Sequence, residues 1–384
     1  VQTLLIKDAH VYAPEDLGIC DVLCSGRQIL DVGTDLWPVG DPTVVQATER
    51  PLIPGLVDNH IHVMGASGGD GPTHRSPEMP LSWMTLAGIT TIVSPLGTDS
   101  LSRTLPALLS RAAALTADGI SAYAYTGGWR NPVPTLTGDL QTDLAYIDQF
   151  LGVKVALSEP SAPPLSHEQL CELAHATLVG GGIGGKRSVL HAHIGDSDTG
   201  LTPLLKAAEA TGLPIDRFVA THVNRNPGLW EQAFSFAREG GSIDLTSQIQ
   251  KDRGYANAIE PERALLELLH ADLPHERISL SSDSGGAYPR PGGARRGRYA
   301  MAEPMTLIDS VRAVIRQGVD WQTILPLVTR NPAERLGLST KGRIEPGGDA
   351  DLVLLTGDNE IDQVWSRGKT MVADGEAVVR SDYE

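Results

Sequence analysis

Residues 51–342 repeat, eight times over, an apolar strand-like run followed by a loop and a helical pattern, while short β-rich stretches fill 1–50 and 343–384. Together these observations predict an α/β protein of the TIM-barrel class: a (β/α)8 barrel with a small β-sandwich domain formed by both chain termini. A length of 384 residues suits a barrel plus an accessory domain. Neither end alone is long enough to bury a sheet face, so the two ends are expected to share one.

The N-terminal stretch gives brief β-like runs at Leu4–Lys7, His10–Tyr12, Asp21–Ser25, Gln28–Val32 and Thr43–Gln46. Turn residues separate them at Pro14-Glu15-Asp16, at Gly26 and across 38–42. The expected barrel strands are Leu56–His60, Thr90–Ser94, Ser121–Tyr125, Val153–Leu157, Val189–His193, Phe218–His222, Ser242–Thr246 and Ile278–Ser282. Between them, Leu105, Leu108, Leu109, Ala112 and Leu115 recur at a helical period and stop at Gly119. Ser166 and Gln169 form a capping box ahead of Leu170, Leu173 and Ala174, with Gly180 to Gly182 ending that helix. Leu229, Ala233, Phe236 and Ala237 make a third stripe, closed by Gly240-Gly241. The Gly-, Pro- and Arg-rich segment 287–299 follows the eighth strand as a lid or substrate loop. At the C-terminal end, Asp351–Leu355, Gln363–Ser366 and Thr370–Val372 read as strands, punctuated by Gly347-Gly348, Gly357 and Gly375.

Composition narrows the function. With 41% hydrophobic and 20% charged residues the chain buries a large core. Its 31 basic and 47 acidic side chains leave a formal net charge of −16, which argues against nucleic acid as a partner. Cys20, Cys24 and Cys171 are too few, and odd in number, for a disulfide framework, so a reducing, cytoplasmic setting is expected. There is no uninterrupted apolar stretch of membrane-spanning length and no basic-then-apolar leader pattern, so no membrane partner is expected.

In a (β/α)8 barrel, chemistry sits at the C-terminal ends of the strands, and the reactive residues fall there. His60 and His62 close the first strand, and residues i and i+2 of an extended chain point the same way, so two imidazoles can grip one metal ion. Lys154 lies inside the apolar fourth strand, His193 ends the fifth, His222 ends the sixth and Asp283 follows the eighth. Alone, each has an ordinary reading: unconnected histidines, an edge lysine, a helix-capping Ser-Ser-Asp. Their coincidence at five strand ends reads as a metal-ligand inventory. His191 shares a strand face with His193 but lies farther from the strand end; His193 is the preferred ligand.

This pattern resembles the amidohydrolase superfamily, and within it isoaspartyl (β-aspartyl) dipeptidases over nearly the whole length. The resemblance is carried by Tyr12-Ala13-Pro14-Glu15-Asp16, Gly97-Thr98-Asp99-Ser100, His193-Ile194-Gly195-Asp196-Ser197 and Thr221-His222-Val223-Asn224-Arg225-Asn226. It implies two divalent metal ions, with zinc best suited to the donors. His60 and His62 would hold one ion, His193 and His222 the second, and Lys154, carboxylated by CO2, would bridge them. Asp283 would be both ligand and catalytic base, acting on a water shared by the metals, and a small amide or dipeptide-like molecule would be the substrate. A homo-oligomer is implied as well.

The substrate side departs from the pattern. The family's amine-binding glutamate falls on Gly69, with Asp70 beside it; its carbonyl-polarising tyrosine falls on Trp129; a carboxylate-binding arginine falls on Ser161; and a serine falls on Ala287. Arg225 and Thr98 keep their substrate-binding positions. Altered specificity is therefore expected: one carboxylate at Arg225 and a bulkier or flatter group at Trp129. In the alternative reading Asp70, Arg130 or Lys186 restores the lost contacts and leaves a true isoaspartyl dipeptidase. A cyclic-amide hydrolase of the hydantoinase or dihydroorotase kind and a non-enzymatic binding protein are the other readings.

Overall fold

The computed structural model describes residues 3–38, 40–67, 69, 71–290 and 298–384. Eight parallel strands run side by side in chain order: β1 (Leu56–Asp58), β2 (Ile89–Ser94), β3 (Ser121–Gly127), β4 (Phe150–Leu157), β5 (Val189–Ile194), β6 (Phe218–Thr221), β7 (Ser242–Thr246) and β8 (Ile278–Ser281). All residues of β2, β4 and β5 are buried, as continuous apolar runs require when helices cover one face and the barrel interior the other.

Side chains and loops close the seam between β8 and β1. The carboxylate of Asp58 accepts from the Ser282 amide at 3.2 Å and from the Ser282 hydroxyl. The Asp283 amide donates to the His60 carbonyl at 2.9 Å, and the His62 amide to Ser284 at 2.7 Å. His60, His62 and Asp283 are thus fixed by the hydrogen bonds that complete the barrel.

Helices form where their start signals lie, although the helix expected to end at Gly180 to Gly182 runs through those glycines to Ile183 and is capped by Gly184. Helix Leu105–Asp118 buries Leu105, Leu108, Ala112 and Leu115 and ends at Gly119, whose φ of 143° suits glycine. Helix His167–Ile183 carries the expected capping box: the Ser166 hydroxyl accepts from the Gln169 amide, and the Gln169 side chain accepts from the Ser166 amide. Helix Pro227–Arg238 starts on Asn226, which caps the Leu229 amide at 2.9 Å, and buries Leu229, Trp230, Ala233 and Phe236.

The two termini build one nine-stranded sheet, ordered Glu376–Ala377, Lys369–Ala373, Ile361–Ser366, Leu352–Leu355, Pro51–Pro54, Thr3–Tyr12, Asp16–Ser25 and Gln28–Gly33, with Thr43–Gln46 also paired to Thr3–Tyr12. It has its own core, including Ile6, Val11, Val22, Ile29, Leu52, Leu354 and Trp365. Leu4–Lys7 and His10–Tyr12 are one strand, not two. The break read at Asp8 is a bulge with φ 55°, held by the Asp8 amide donating to Asp21 at 2.9 Å. Pro51–Pro54 has no strand signal in the sequence because proline cannot donate to a ladder, yet it joins the N- and C-terminal parts of the sheet.

Lys341 ties sheet to barrel. Its buried ammonium reaches Asp351 at 2.7 Å, Asp349 at 2.8 Å and the β3 residue Ser121 at 2.6 Å. Removing one partner of a buried ion pair typically costs about 3–5 kcal/mol. Lys341→Met should lower the free energy of unfolding by that order, read from the denaturant midpoint, and an unshifted midpoint would contradict this role.

After β8, Ala287–Pro289 and Tyr299–Met301 pair as an antiparallel hairpin where a lid or substrate loop is expected. Arg295 and Arg296, within that segment, lie outside the described residues. No helix among the described residues is long and apolar enough to cross a membrane.

Candidate active site

His60, His62, Lys154, His193, His222 and Asp283 line one cavity of about 240 Å³ at the C-terminal mouth of the barrel. Gly69, Thr98, Trp129, Arg225, Tyr255 and Ala287 share its wall. His60 Nε2 lies 3.0 Å from Lys154 Nζ, 3.3 Å from His62 Nε2 and 3.5 Å from Asp283 Oδ1, and His62 Nε2 is 3.2 Å from the same carboxylate oxygen. The rings of His60 and His222 are 4.9 Å apart between centroids, and those of His193 and His222 are 4.6 Å apart. His222 and Asp283 have left-handed backbones, φ 71° and 54°, a conformation that costs energy for non-glycine residues and clusters at functional sites.

The surroundings decide which ring nitrogens are free. His62 Nδ1 faces the Pro95 carbonyl at 3.1 Å; a carbonyl only accepts, so Nδ1 carries the hydrogen and Nε2 is bare. His193 Nε2 faces Glu159 at 3.2 Å. Its hydrogen bond to His193 holds the Glu159 carboxyl down at about 2, so this group is an ionised acceptor and His193 Nδ1 is left bare. His222 Nδ1 lies 2.7 Å from the Thr246 hydroxyl. Burial pushes His193 down to about 4, and His60 and His222 well below the ordinary imidazole value, so these rings stay neutral. Burial also brings Lys154 down to about 7, where a free amine is well populated.

This donor set fits a divalent metal. The ligand atoms of His60, His62 and Asp283 all lie within 4.8 Å of one another. Imidazole nitrogens and a carboxylate oxygen at this spacing are the donor types and separations that one divalent ion takes. A second buried group, His60, His191 and Asp244, has the same spacing. There, however, the Asp244 carboxylate is taken by hydroxyls of Thr221, Ser279 and Ser281.

On the substrate side, the Arg225 guanidinium meets Asp196 at 3.3 Å and lies 5.6 Å over the ring of Tyr255. Arg225 and Tyr255 also line a neighbouring chamber of about 710 Å³ between the loops after β5, β6 and β7. Trp129 stands edge-on to His193, 4.5 Å between centroids, and its buried indole N–H has no hydrogen-bond partner among the described residues.

Ser161 is not in the cavity wall. It is exposed, and its amide and hydroxyl turn back to donate to Glu159 at 3.0 and 2.8 Å. Asp70 lies outside the described residues. Lys186 cannot restore a substrate contact, because it donates to the carbonyls of Ile147 and Phe150. Arg130 is exposed and absent from the wall. Sequence reasoning missed Glu159, Thr246 and Tyr255. An acid directly before a proline at the end of β4 was the available signal for Glu159; the Pro95 carbonyl has none.

A sequence model of the Amidohydrolase family matches residues 52–371. The β-aspartyl dipeptidase of Fervidobacterium islandicum AW-1, solved in complex with β-Asp-Leu, is 30% identical, with both chains fully covered and a TM-score of 0.90. Imidazolonepropionase from Pseudoalteromonas atlantica is 25% identical over 84% of each chain. Dihydropyrimidinase from Brevibacillus agri shares the fold, with a TM-score of 0.71 at 16% identity over 99% of this chain and 97% of that one. The chain belongs to the amidohydrolase family and is a metal-dependent hydrolase of isoaspartyl-dipeptidase-like build.

Proposed function

We propose that this protein hydrolyses the amide or isopeptide bond of small carboxylate-bearing substrates with a binuclear metal centre, and that its specificity differs from that of a β-aspartyl dipeptidase. The observation that carries this reading is the convergence of six metal-ligand candidates and Arg225 on one cavity. His60 and His62 would hold one cation, His193 Nδ1 and His222 Nε2 the other, and Lys154, as its carbamate, would supply an anionic oxygen donor to the centre. A neutral buried amine adds CO2, forming an N–C bond and releasing one proton, and so becomes an anionic oxygen ligand. Two zinc ions supply, when bound, a water acidified toward neutrality and a Lewis acid beside the carbonyl. Asp283 takes the proton of the attacking water and passes it to the leaving nitrogen. Arg225 anchors the substrate carboxylate in exchange for Asp196, and the Trp129 N–H, which has no hydrogen-bond partner among the described residues, donates to a substrate oxygen. A reducing, cytoplasmic setting and a homo-oligomer belong to this reading, the first from the cysteine pattern and the second from the resemblance alone.

The substrate we favour places one carboxylate on Arg225 and a planar or bulky group among Trp129, Tyr255 and His74. A panel of β-Asp-Leu, α-Asp-Leu, γ-Glu and N-acyl amino acids, and hydantoins tests it on zinc-loaded protein. Turnover of an N-acyl or γ-Glu member with β-Asp-Leu poor is the expected result. Fast cleavage of β-Asp-Leu alone would make this a true isoaspartyl dipeptidase with replaced contacts. Preference for hydantoins would favour the cyclic-amide reading, for which the flat indole face is the supporting feature. Losing a buried charge partner costs about 2–5 kcal/mol. Arg225→Ala should therefore lower kcat/KM about thirtyfold or more, mainly through KM, and an unchanged kcat/KM would sink the carboxylate assignment.

A further inference from the structure

His191, the histidine of the β5 motif not needed as a ligand, does not line the cavity. Its Nε2 instead lies 3.0 Å from His60 Nδ1, behind the ring that presents Nε2 to Lys154, His62 and Asp283. The His191 ring stacks on Tyr125 at 4.7 Å and 14°, and the Tyr125 hydroxyl donates to the Asn59 carbonyl at 3.1 Å, one residue before His60. Backbone and ring of His60 are therefore braced from the same side.

We propose that His191 is a positioning residue that accepts the Nδ1–H of His60, fixing the tautomer and ring plane in which His60 Nε2 points into the metal cavity. The inference rests on the metal-hydrolase reading. An imidazole that offers Nε2 to a cation carries its hydrogen on Nδ1, and an acceptor there holds it in place. In this arrangement the hydrogen of His191 sits on its own Nδ1, which is buried and has no hydrogen-bond partner among the described residues. Packing alone gives no reason to keep such an orphan, since phenylalanine or leucine would fill the space without one. The rival role, a cation held by His60, His191 and Asp244, is disfavoured because the hydroxyls of Thr221, Ser279 and Ser281 already donate to the Asp244 carboxylate.

The test is zinc affinity of the full-length protein, by chelator competition, beside the melting temperature of the metal-free form. His191→Phe keeps a ring over Tyr125 and removes the acceptor; His191→Gln keeps an acceptor near the Nε2 position. The phenylalanine variant should lose about 10- to 100-fold in zinc affinity with an unchanged metal-free melting temperature, and the glutamine variant should recover most of it. Wild-type affinity in His191→Phe, or equal losses in both variants, overturns the proposal. If His191→Phe does not fold, imidazole ¹⁵N shifts of the zinc-loaded wild type decide: His60 protonated at Nδ1 supports it, and His60 with bare Nδ1 overturns it. Wild-type protein that binds no zinc defeats the hydrolase reading itself, and this is seen before any variant is made.

Discussion

Asp283→Asn should lower kcat for the best amide substrate by about 10²- to 10⁴-fold, with KM little changed. The carboxylate sits 3.2 Å from His62 Nε2 and 3.5 Å from His60 Nε2, on a left-handed backbone whose amide is tied to the His60 carbonyl at 2.9 Å. Asparagine fits the same space and keeps that backbone bond, but it cannot accept a proton from water and return it to the leaving nitrogen. Arg225, the proposed carboxylate anchor, lies elsewhere in the wall and is untouched by the change, so the loss is expected in kcat. Steady-state kinetics with metal analysis checks this. A kcat within tenfold of wild type at full metal content would remove Asp283 from the proton path.

Lys154→Met should abolish hydrolysis and leave fewer than two metal equivalents per chain. Lys154 is buried, and its Nζ is placed 3.0 Å from His60 Nε2 rather than against a carboxylate. A buried amine without an ion-pair partner adds nothing to stability, whereas methionine fills the space without a polar group. The metal-free variant should therefore melt no lower than metal-free wild type, which separates loss of function from loss of fold. Wild-type protein exchanged with ¹³C-bicarbonate should show one carbamate resonance that the variant lacks. A Lys154→Met protein with two metals and normal turnover would eliminate the bridging role.

Much of this was legible in the sequence because barrel chemistry is tied to strand ends. His60 and His62 are readable from the two-residue period of an extended chain, even though the β1 ladder stops at Asp58 and both histidines lie just beyond it. Lys154 stands out as the one charge in β4, a strand otherwise apolar or glycine. The loop contacts were less legible. The resemblance puts Ser161 at a carboxylate-binding position, but the turn after β4, with Ser158 at φ 53°, brings Glu159 to His193 and leaves Ser161 outside the wall. Tyr255 reaches the wall from the loop after β7, about 30 residues beyond Arg225, and no local pattern links the two. Asp58 is likewise a charge in an apolar strand, but no local pattern names its partner: it closes the barrel through Ser282, 224 positions away.

The most direct test of the central claim is a titration of metal-stripped protein with Zn²⁺ while following hydrolysis of the best substrate in the panel. A rate that climbs from background and levels off at two equivalents per chain is predicted by a site in which His60, His62, Lys154, His193, His222 and Asp283 act together. A rate that is full without added metal in the presence of a strong chelator, or that never rises with zinc, would contradict it.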